Sequence, residues 1–272
     1  MKPGQLHVHT RYSDGEVTPD MILRNDLGFV AITDHDYLSP IDAFRYLIEY
    51  GIEVISGIEL TVVIAGKIAH VLVLEPRPLS GFFDALAIIQ RQRSQRVQRI
   101  LNYLEKEGFR LDGSSFMAHE MHTKWDIADA VLAHPFNERK LKQYGISDAK
   151  SFRYRFINSA NPEFRISGIP GEEMLPLVKG IFILAHPGKS FRLEQDALKV
   201  CSFLKAFPFS GVEVITRKHG FDQQKHAALL ALSCGLLQVT SNDAHVEAHL
   251  TQNPTPYEQL EQLRERAHMH DA

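Results

Sequence analysis

Short apolar runs of β type recur along the chain: LHVH (6–9), FVAITDH (29–35), IEVISGIEL (52–60), IAHVLVLE (68–75), GIFILAHP (180–187), GVEVI (211–215) and LLQVTSNDAH (236–245). Between them PDMILRNDLG (19–28), PIDAFRYLIEYG (40–51), DALAIIQRQRSQRVQRILNYLEKEG (84–108) and DQQKHAALLALSCG (222–235) carry helical periodicity. Each ends at a glycine, Gly28, Gly51, Gly108 or Gly235, the expected C-cap. Thr18-Pro19 and Ser39-Pro40 place proline after a capping hydroxyl and predict two helix starts. Strands alternating with helices predict an α/β fold of parallel βα units, closed into a barrel or stacked as an open sheet.

The rhythm breaks over 109–178. KWDIADAVLAHPFNERKLKQYG and DAKSFRYRFINSA read as two helices, followed by the Pro/Gly-rich ISGIPGEEMLP, with no clear strand. The pattern therefore predicts a barrel domain made of 1–108 and 179–272, with 109–178 inserted as a helical cap over the strand ends where active-site loops gather.

Composition narrows the class. The 272 residues are 44% hydrophobic, enough for a packed core, and the net charge of −3 gives no global basic field for bulk electrostatic capture of nucleic acid, so stable duplex DNA binding is not expected, although a local basic patch stays open. Cys201 and Cys234 are too few for a disulfide framework and lack CxxC spacing, which fits a reducing compartment and argues against a cysteine-built zinc site. MKPGQLHVH lacks the apolar segment of a signal peptide, and no apolar run approaches the roughly 18 residues that cross a bilayer, which predicts a cytoplasmic protein without a membrane partner.

The unusual number is 14 histidines, and their positions matter more than their count. His7 and His9 alternate onto one face of the first strand, with Asp14 in the following loop. His35 follows the second strand, Glu59 closes the third, His70 interrupts the fourth, His186 ends the GIFILAHP run, and Asp243 and His245 follow the last. In a barrel, strand ends converge on one cleft. Nine such groups in a confined site would destabilise one another unless cations neutralised the carboxylates and engaged the imidazole lone pairs. Histidine and carboxylate ligation without thiolates suits Mn, Fe or Zn, and nine ligands suit two or three divalent ions if the glutamate bridges. Such a cluster is fitted to splitting phosphate esters, and its chemistry depends first on Glu59 and Asp243.

Among the remaining histidines, His268 and His270 lie in a polar tail, while His119, His122, His226 and His249 read as solvated surface. LAHPF (132–136) imitates LAHPG (184–188) but follows a helical stretch, so His134 is not expected to be a ligand. Arg11, Lys189 and Arg217 are candidates for phosphate recognition. Arg91, Arg93, Arg96 and Arg99 form a basic helix that could track an RNA backbone, but with no aromatic platform interleaved they read first as a solvated face, and Asp34 and Asp36 read as capping residues or as supports of a ligand imidazole.

HVHTRYSDG, ITDHD, GIEL, AHPG and NDAH follow one another in the order of the motif series of the PHP (polymerase and histidinol phosphatase) family, and the chain resembles that family over residues 5–75 and 180–246. The likeness is strongest to its stand-alone bacterial phosphoesterases, the TrpH-like type that includes ribonuclease AM. The resemblance implies a distorted (β/α)7 TIM-like barrel with a di- or trinuclear site. His7, His9, Glu59 and Asp243 would hold one metal, Glu59, His70 and His186 a second, and Asp14, His35 and His245 a third. It implies a phosphoesterase acting through a metal-bridging hydroxide on nucleotides, short oligonucleotides or RNA 5′ ends. His219 falls where similar proteins often have a substrate-facing histidine, and could protonate the leaving oxygen. A phosphatase of a small metabolite such as histidinol phosphate is the alternative. A non-catalytic PHP module is disfavoured because none of the nine ligand positions is substituted. Lys124 and Asp126 stand where the family usually has Arg and His in the insertion, which bears on substrate contacts and leaves the metal ligands alone.

Overall fold

The computed structural model describes residues 2–111, 123–158 and 160–271. Its strands are β1 (Gln5–Val8), β2 (Phe29–Ile32), β3 (Glu53–Ile64), β4 (Lys67–Pro78), β5 (Ile169–Pro170), β6 (Val178–Ala185), β7 (Phe209–Ile215) and β8 (Leu237–Thr240). Seven of them form a curled sheet in the order β1-β2-β3-β4-β6-β7-β8, and the two-residue β5 pairs with β3. β5 lies in the stretch expected to lack strands. It pairs only Val62 and Val63 of β3, too short for periodicity to show.

The helices are α1 (Pro19–Arg24), α2 (Tyr46–Glu49), α3 (Phe82–Lys106), α4 (Lys124–Ala133), α5 (Glu138–Gln143), α6 (Ala149–Phe156), α7 (Gly171–Met174), α8 (Pro187–Ser190), α9 (Leu193–Ala206), α10 (Phe221–Cys234) and α11 (Tyr257–Asp271). Two helix ends differ from expectation. α1 stops at Asn25, short of Gly28. Ser39 caps no helix, because its hydroxyl is buried and donates to Asp34 instead. α3 and α10 do end as expected, on Gly108 and Gly235 in the left-handed conformation.

The sheet is not uniformly parallel. β3 and β4 form an antiparallel hairpin through Ala65-Gly66, both at positive φ, and β4 is antiparallel to β6 as well. This corrects the picture of every ligand leaving the C-terminal end of its strand. His70 sits near the start of β4, and only because β4 runs backwards does it lie beside Thr61 and Ala185. Nor does Glu59 close β3, which continues to Ile64. Beyond β8 the chain returns to β1: the His9 N–H donates to Ala244 O at 2.8 Å and the Ala244 N–H to His7 O at 2.8 Å. That bridge brings the sheet's two edges together at the end that carries the polar residues.

Strand alternation separates the core into layers. On β4, Val71 and Val73 pack outward with Phe82, Leu86 and Ile89 of α3, whereas Leu72 and Leu74 pack inward with Leu260 and Leu263 of α11. The inner parity also carries Glu59 of β3, His70 of β4 and Glu213 of β7, so the interior is apolar toward α11 and polar at the other end.

A separate apolar cluster serves the insertion. Val97, Ile100 and Leu104, on the second half of α3, pack with Ile127 and Val131 of α4 and Phe152 and Phe156 of α6. The insertion thus borrows a helix half from the segment before it. Truncating the fully buried Phe152 to alanine should cost about 3–5 kcal/mol of stability by leaving a cavity in this small core. A thermal melt checks this, and an unchanged midpoint would show that the cluster does not hold the insertion.

Candidate metal centre

All nine sequence-predicted ligands meet at one end of the curled sheet. Glu59 is their hub. Fully buried, it places Oε1 2.9 Å from both His70 Nδ1 and His186 Nε2, and Oε2 at 2.9 Å from His35 Nδ1, 3.1 Å from His9 Nε2 and 3.2 Å from His7 Nε2. Asp243 Oδ1 lies 3.1 Å from His9 Nε2 and 3.3 Å from His245 Nδ1. Asp14 Oδ1 lies 3.3 Å from His245 Nε2 and 3.8 Å from His35 Nε2.

Close approach requires particular backbones. Gly15 is buried against His9, and a Cβ there would stand 2.0 Å from His9 O, so the first motif tolerates no side chain at this turn. His186 and Asp243 adopt φ of 27° and 52°, uncommon for residues with a side chain, and both aim a ligand into the cluster.

The atoms left over fit cations. Asp14 Oδ1, Glu59 Oε2 and Asp243 Oδ1 are buried and accept no well-aligned hydrogen bond, although imidazole nitrogens crowd to 3.3 Å, 2.9 Å and 3.1 Å of them respectively, and His35 Nδ1 and His186 Nδ1 are buried without a well-aligned bond as well. Buried carboxylate oxygens are rarely left unpaired unless something else neutralises them. Three groups have donor atoms within 4.8 Å of one another: His7, His9, Glu59 and Asp243; His35, Glu59 and His70; and His9, Asp14, His35 and His245. Ligands about 2.0–2.2 Å from a shared ion lie within such a span. His186, through its contact with Glu59 Oε1, adjoins the second group.

Supporting hydrogen bonds fix the ligands, and here sequence reasoning missed a residue. Glu213, buried on β7, accepts from His7 Nδ1 at 2.8 Å and from the His186 N–H at 2.7 Å, and binds the Ser241 hydroxyl. It orients two ligand residues at once. A carboxylate at an inward position of GVEVI was the available signal. Asp34 and Asp36 are buried, and neither caps at the surface nor holds an imidazole. Asp34 gathers the Thr10 N–H and hydroxyl and the Ser13 hydroxyl, shaping the first motif's loop. Asp36 binds Thr61 and the Arg93 Nε at 2.7 Å. Arg93 is therefore buried, and Arg96 Nε is buried too, so α3 does not present four solvated arginines.

Electrostatics follow from this crowding. Burial would raise the carboxyls of Glu59, Asp14 and Asp243, but the imidazoles around them hold all three well below the usual carboxylate range. Burial likewise opposes charge on His9, yet the Asp243 and Glu59 carboxylates, each 3.1 Å from its Nε2, lift it to about 10, and Glu59, Glu213 and Asp243 lift His7. Burial prevails at His35, which falls to about 4. Without metal, the depressed carboxylates stabilise the fold at neutral pH and lose that effect as pH falls through their folded values. The raised His7 and His9 contribute fully below about 6.5 and lose their effect as pH rises through their folded values, about 10 for His9. Metal binding needs unprotonated imidazoles. Titrating divalent metal into the metal-free protein near pH 7 should therefore release protons, measurable by calorimetry in buffers of different ionisation enthalpy, and affinity should rise with pH. Buffer-independent heats would contradict the assignment of His7 and His9 as ligands.

The cluster floors a cleft of about 610 Å³. Lys189 and Arg217 line it; Arg11 is exposed and does not. His219 is not presented to the cleft either. Its Nδ1 lies 3.0 Å from Val214 O and its Nε2 accepts from the Gly188 N–H at 3.0 Å, so both nitrogens are engaged and the ring supports the turn after His186. Lys218, unremarked in the sequence, reaches Asp243 Oδ2 at 2.7 Å. His249 is not a solvated histidine: it lines the cleft and accepts from the His245 N–H at 3.2 Å. His226 pairs with Glu194 at 3.1 Å, and His134 accepts from the Phe136 N–H away from the cluster. His119 and His122 lie outside the described residues. From the insertion, Trp125, Asp126, Asp129 and Arg153 close the cleft's outer side.

No protein-family model matches the chain. Two solved structures share its architecture nearly end to end. One is a candidate metal-dependent phosphoesterase from Bifidobacterium adolescentis, with TM-score 0.77 and 19% identity, covering 96% of this chain and 95% of that one. The other is an amidohydrolase from Chromobacterium violaceum, with TM-score 0.71 and 21% identity, covering 95% and 96%. The chain has the PHP fold. Within that fold it is 26% identical over 258 residues to a 5′-3′ exoribonuclease of Haemophilus influenzae, covering 90% of each. It is 23% identical over 259 residues to a 3′,5′-nucleoside bisphosphate phosphatase of Chromobacterium violaceum, covering 88% of this chain and 86% of that protein. Among the described residues, no helix of this PHP fold is long and apolar enough to cross a membrane.

Proposed function

We propose that this protein is a metal-dependent phosphoesterase that hydrolyses nucleotides, short oligonucleotides or RNA ends. The observation that carries the reading is the set of three carboxylates, each with a buried oxygen that accepts no well-aligned hydrogen bond, crowded among six imidazoles beneath a cleft that also holds Lys189, Arg217 and Lys218. His7, His9, Glu59 and Asp243 would hold one ion, Glu59, His70 and His186 a second, and Asp14, His35 and His245 a third, with His9 and His35 close enough to serve neighbouring groups. The donor set suits Mn, Fe or Zn. Bound divalent ions supply nucleophile activation by lowering the pKa of water, and charge neutralisation at the phosphoryl oxygens.

The chain's own residues do the rest. Lys189 and Arg217 attract and orient the phosphate from the cleft wall. Lys218 adds a positive charge beside Asp243, where an oxygen leaving phosphorus can be stabilised. Glu213 holds His7 and His186 in place, and His219 holds the 186–188 turn through Gly188. The insertion limits what can enter.

Nucleotide chemistry is favoured because the two curated relatives are named for ribonuclease and nucleoside bisphosphate phosphatase activities. α3 offers little track for a long RNA: Arg93 is bound to Asp36, Arg96 is turned inward, and Arg99 Nε donates to Glu163 O at 2.8 Å. A single nucleotide or a strand end suits the cleft better. The test joins elemental analysis of the purified protein to hydrolysis assays on adenosine 3′,5′-bisphosphate, 5′-phosphorylated RNA and histidinol phosphate. At least two ions and turnover of a nucleotide substrate are expected. Fewer than two ions with no turnover would overturn the reading, and preference for histidinol phosphate would move it to the small-metabolite alternative.

A further inference from the structure

The outer wall of the cleft differs in kind from its floor. Ionisable side chains dominate the floor, whereas the wall, beside its own Asp126, Asp129 and Arg153, carries the chain's one tryptophan, Trp125, 41% exposed and facing the same cavity. Its position is well fixed. Trp125 stands in the first turn of α4, where the Thr123 hydroxyl accepts its N–H at 3.1 Å and Asp126 closes the capping box by accepting the Thr123 N–H at 2.6 Å. Behind it, α4 and α6 pack through Ile127, Val131, Phe152 and Phe156. From α6, Arg153 lays its guanidinium over the indole with Cζ 3.6 Å from the ring centroid. Arg153 Nε is buried without a hydrogen-bond partner. An indole with a guanidinium over its ring at a cavity wall offers a polarisable surface, the kind on which bases stack.

Resting on the nucleotide phosphoesterase reading, we infer that Trp125 and Arg153 form the platform that receives the nucleobase of the substrate while its phosphate lies over the ligand cluster. The cavity then has two ends, each matched to half of a nucleotide: cations and ligand residues for the phosphate, a π surface for the base. Its volume of about 610 Å³ is within the range of pockets that enclose small ligands. Stacking tolerates any base, so the platform selects for a nucleobase without selecting strongly among them. Asp126 and Asp129, on the same wall, repel further phosphates and favour a terminal nucleotide over the middle of a strand.

Because Trp125 is the single tryptophan, its emission reports on this wall alone. In the metal-loaded protein, adenosine 5′-monophosphate should change tryptophan fluorescence saturably, and ribose 5-phosphate should not. Trp125→Ala should lower kcat/KM for adenosine 3′,5′-bisphosphate about 5- to 100-fold, chiefly through KM, and lower that for ribose 5-phosphate, which has no base to stack, by a much smaller factor. Trp125→Phe should recover most of the loss. Equal fluorescence changes with both ligands, no change with either, or equal losses on both substrates would overturn the inference while leaving the phosphoesterase reading intact. Failure of the wild type to hydrolyse any phosphate ester would instead overturn that reading, and the fluorescence titration would still decide whether the wall binds a base. If Trp125→Ala does not fold, Trp125→Phe and the wild-type titration carry the test.

Discussion

Glu59→Ala is expected to remove most of the bound metal and lower phosphoester hydrolysis by at least about 10²–10³-fold, the loss typical of deleting one preorganised electrostatic contact. The effect should exceed that of any single histidine replacement, because Glu59 alone touches His7, His9, His35, His70 and His186. Deleting its carboxylate removes the atom pair around which two of the three ligand groups are arranged. It also leaves five imidazoles without their shared counter-charge. Metal content by elemental analysis and kcat on adenosine 3′,5′-bisphosphate would be measured together, with circular dichroism confirming the fold. A folded variant retaining both metal and activity would refute the metal-centre reading.

The second large effect is expected from a residue that should touch neither metal nor substrate. Glu213→Gln keeps the shape of the side chain but removes the charge that holds the His7 ring and weakens the anchor of the His186 backbone. Loss of such an orienting partner typically costs 10–100-fold in metal affinity or activity, and that range is expected here. The losses should shrink as metal concentration is raised, because Glu213 positions ligands and does no chemistry itself. A loss of kcat that excess metal does not relieve would place Glu213 in the reaction. Wild-type behaviour at limiting metal would show that His7 and His186 need no support.

Eight of the nine candidate ligands were legible in the sequence because each interrupts or closely follows an apolar run, where a polar side chain is conspicuous, and Asp14 because it stands in the loop after His7 and His9. Glu213 sits in the same kind of run and went unremarked, since a lone carboxylate in GVEVI reads equally well as an outward position. Only the pairing of β7 with β6 and β8 shows that it faces inward. His70 was picked out for a reason that proved incomplete. The alternation of apolar residues is the same in either strand direction, so nothing local reveals that β4 is reversed. Arg93 and Arg96 were misread because helical periodicity marks which residues share a face but not what packs on it. Arg93 turns toward the sheet, where Asp36 and Thr61 bind its guanidinium, and Arg96 Nε is buried.

By itself, the sequence determined the α/β alternation, the strand set of the curled sheet and the polar residues that gather at its end, since burial and period are local properties of the chain. Tertiary structure decided which atoms meet. It made Glu59 the hub, set Glu213 behind His7, turned His219 away from the cleft and brought Trp125 and Arg153 over it. Each of these depends on contacts between residues far apart in the chain, made by strand direction and by the docking of the insertion, and neither leaves a periodic trace in the sequence.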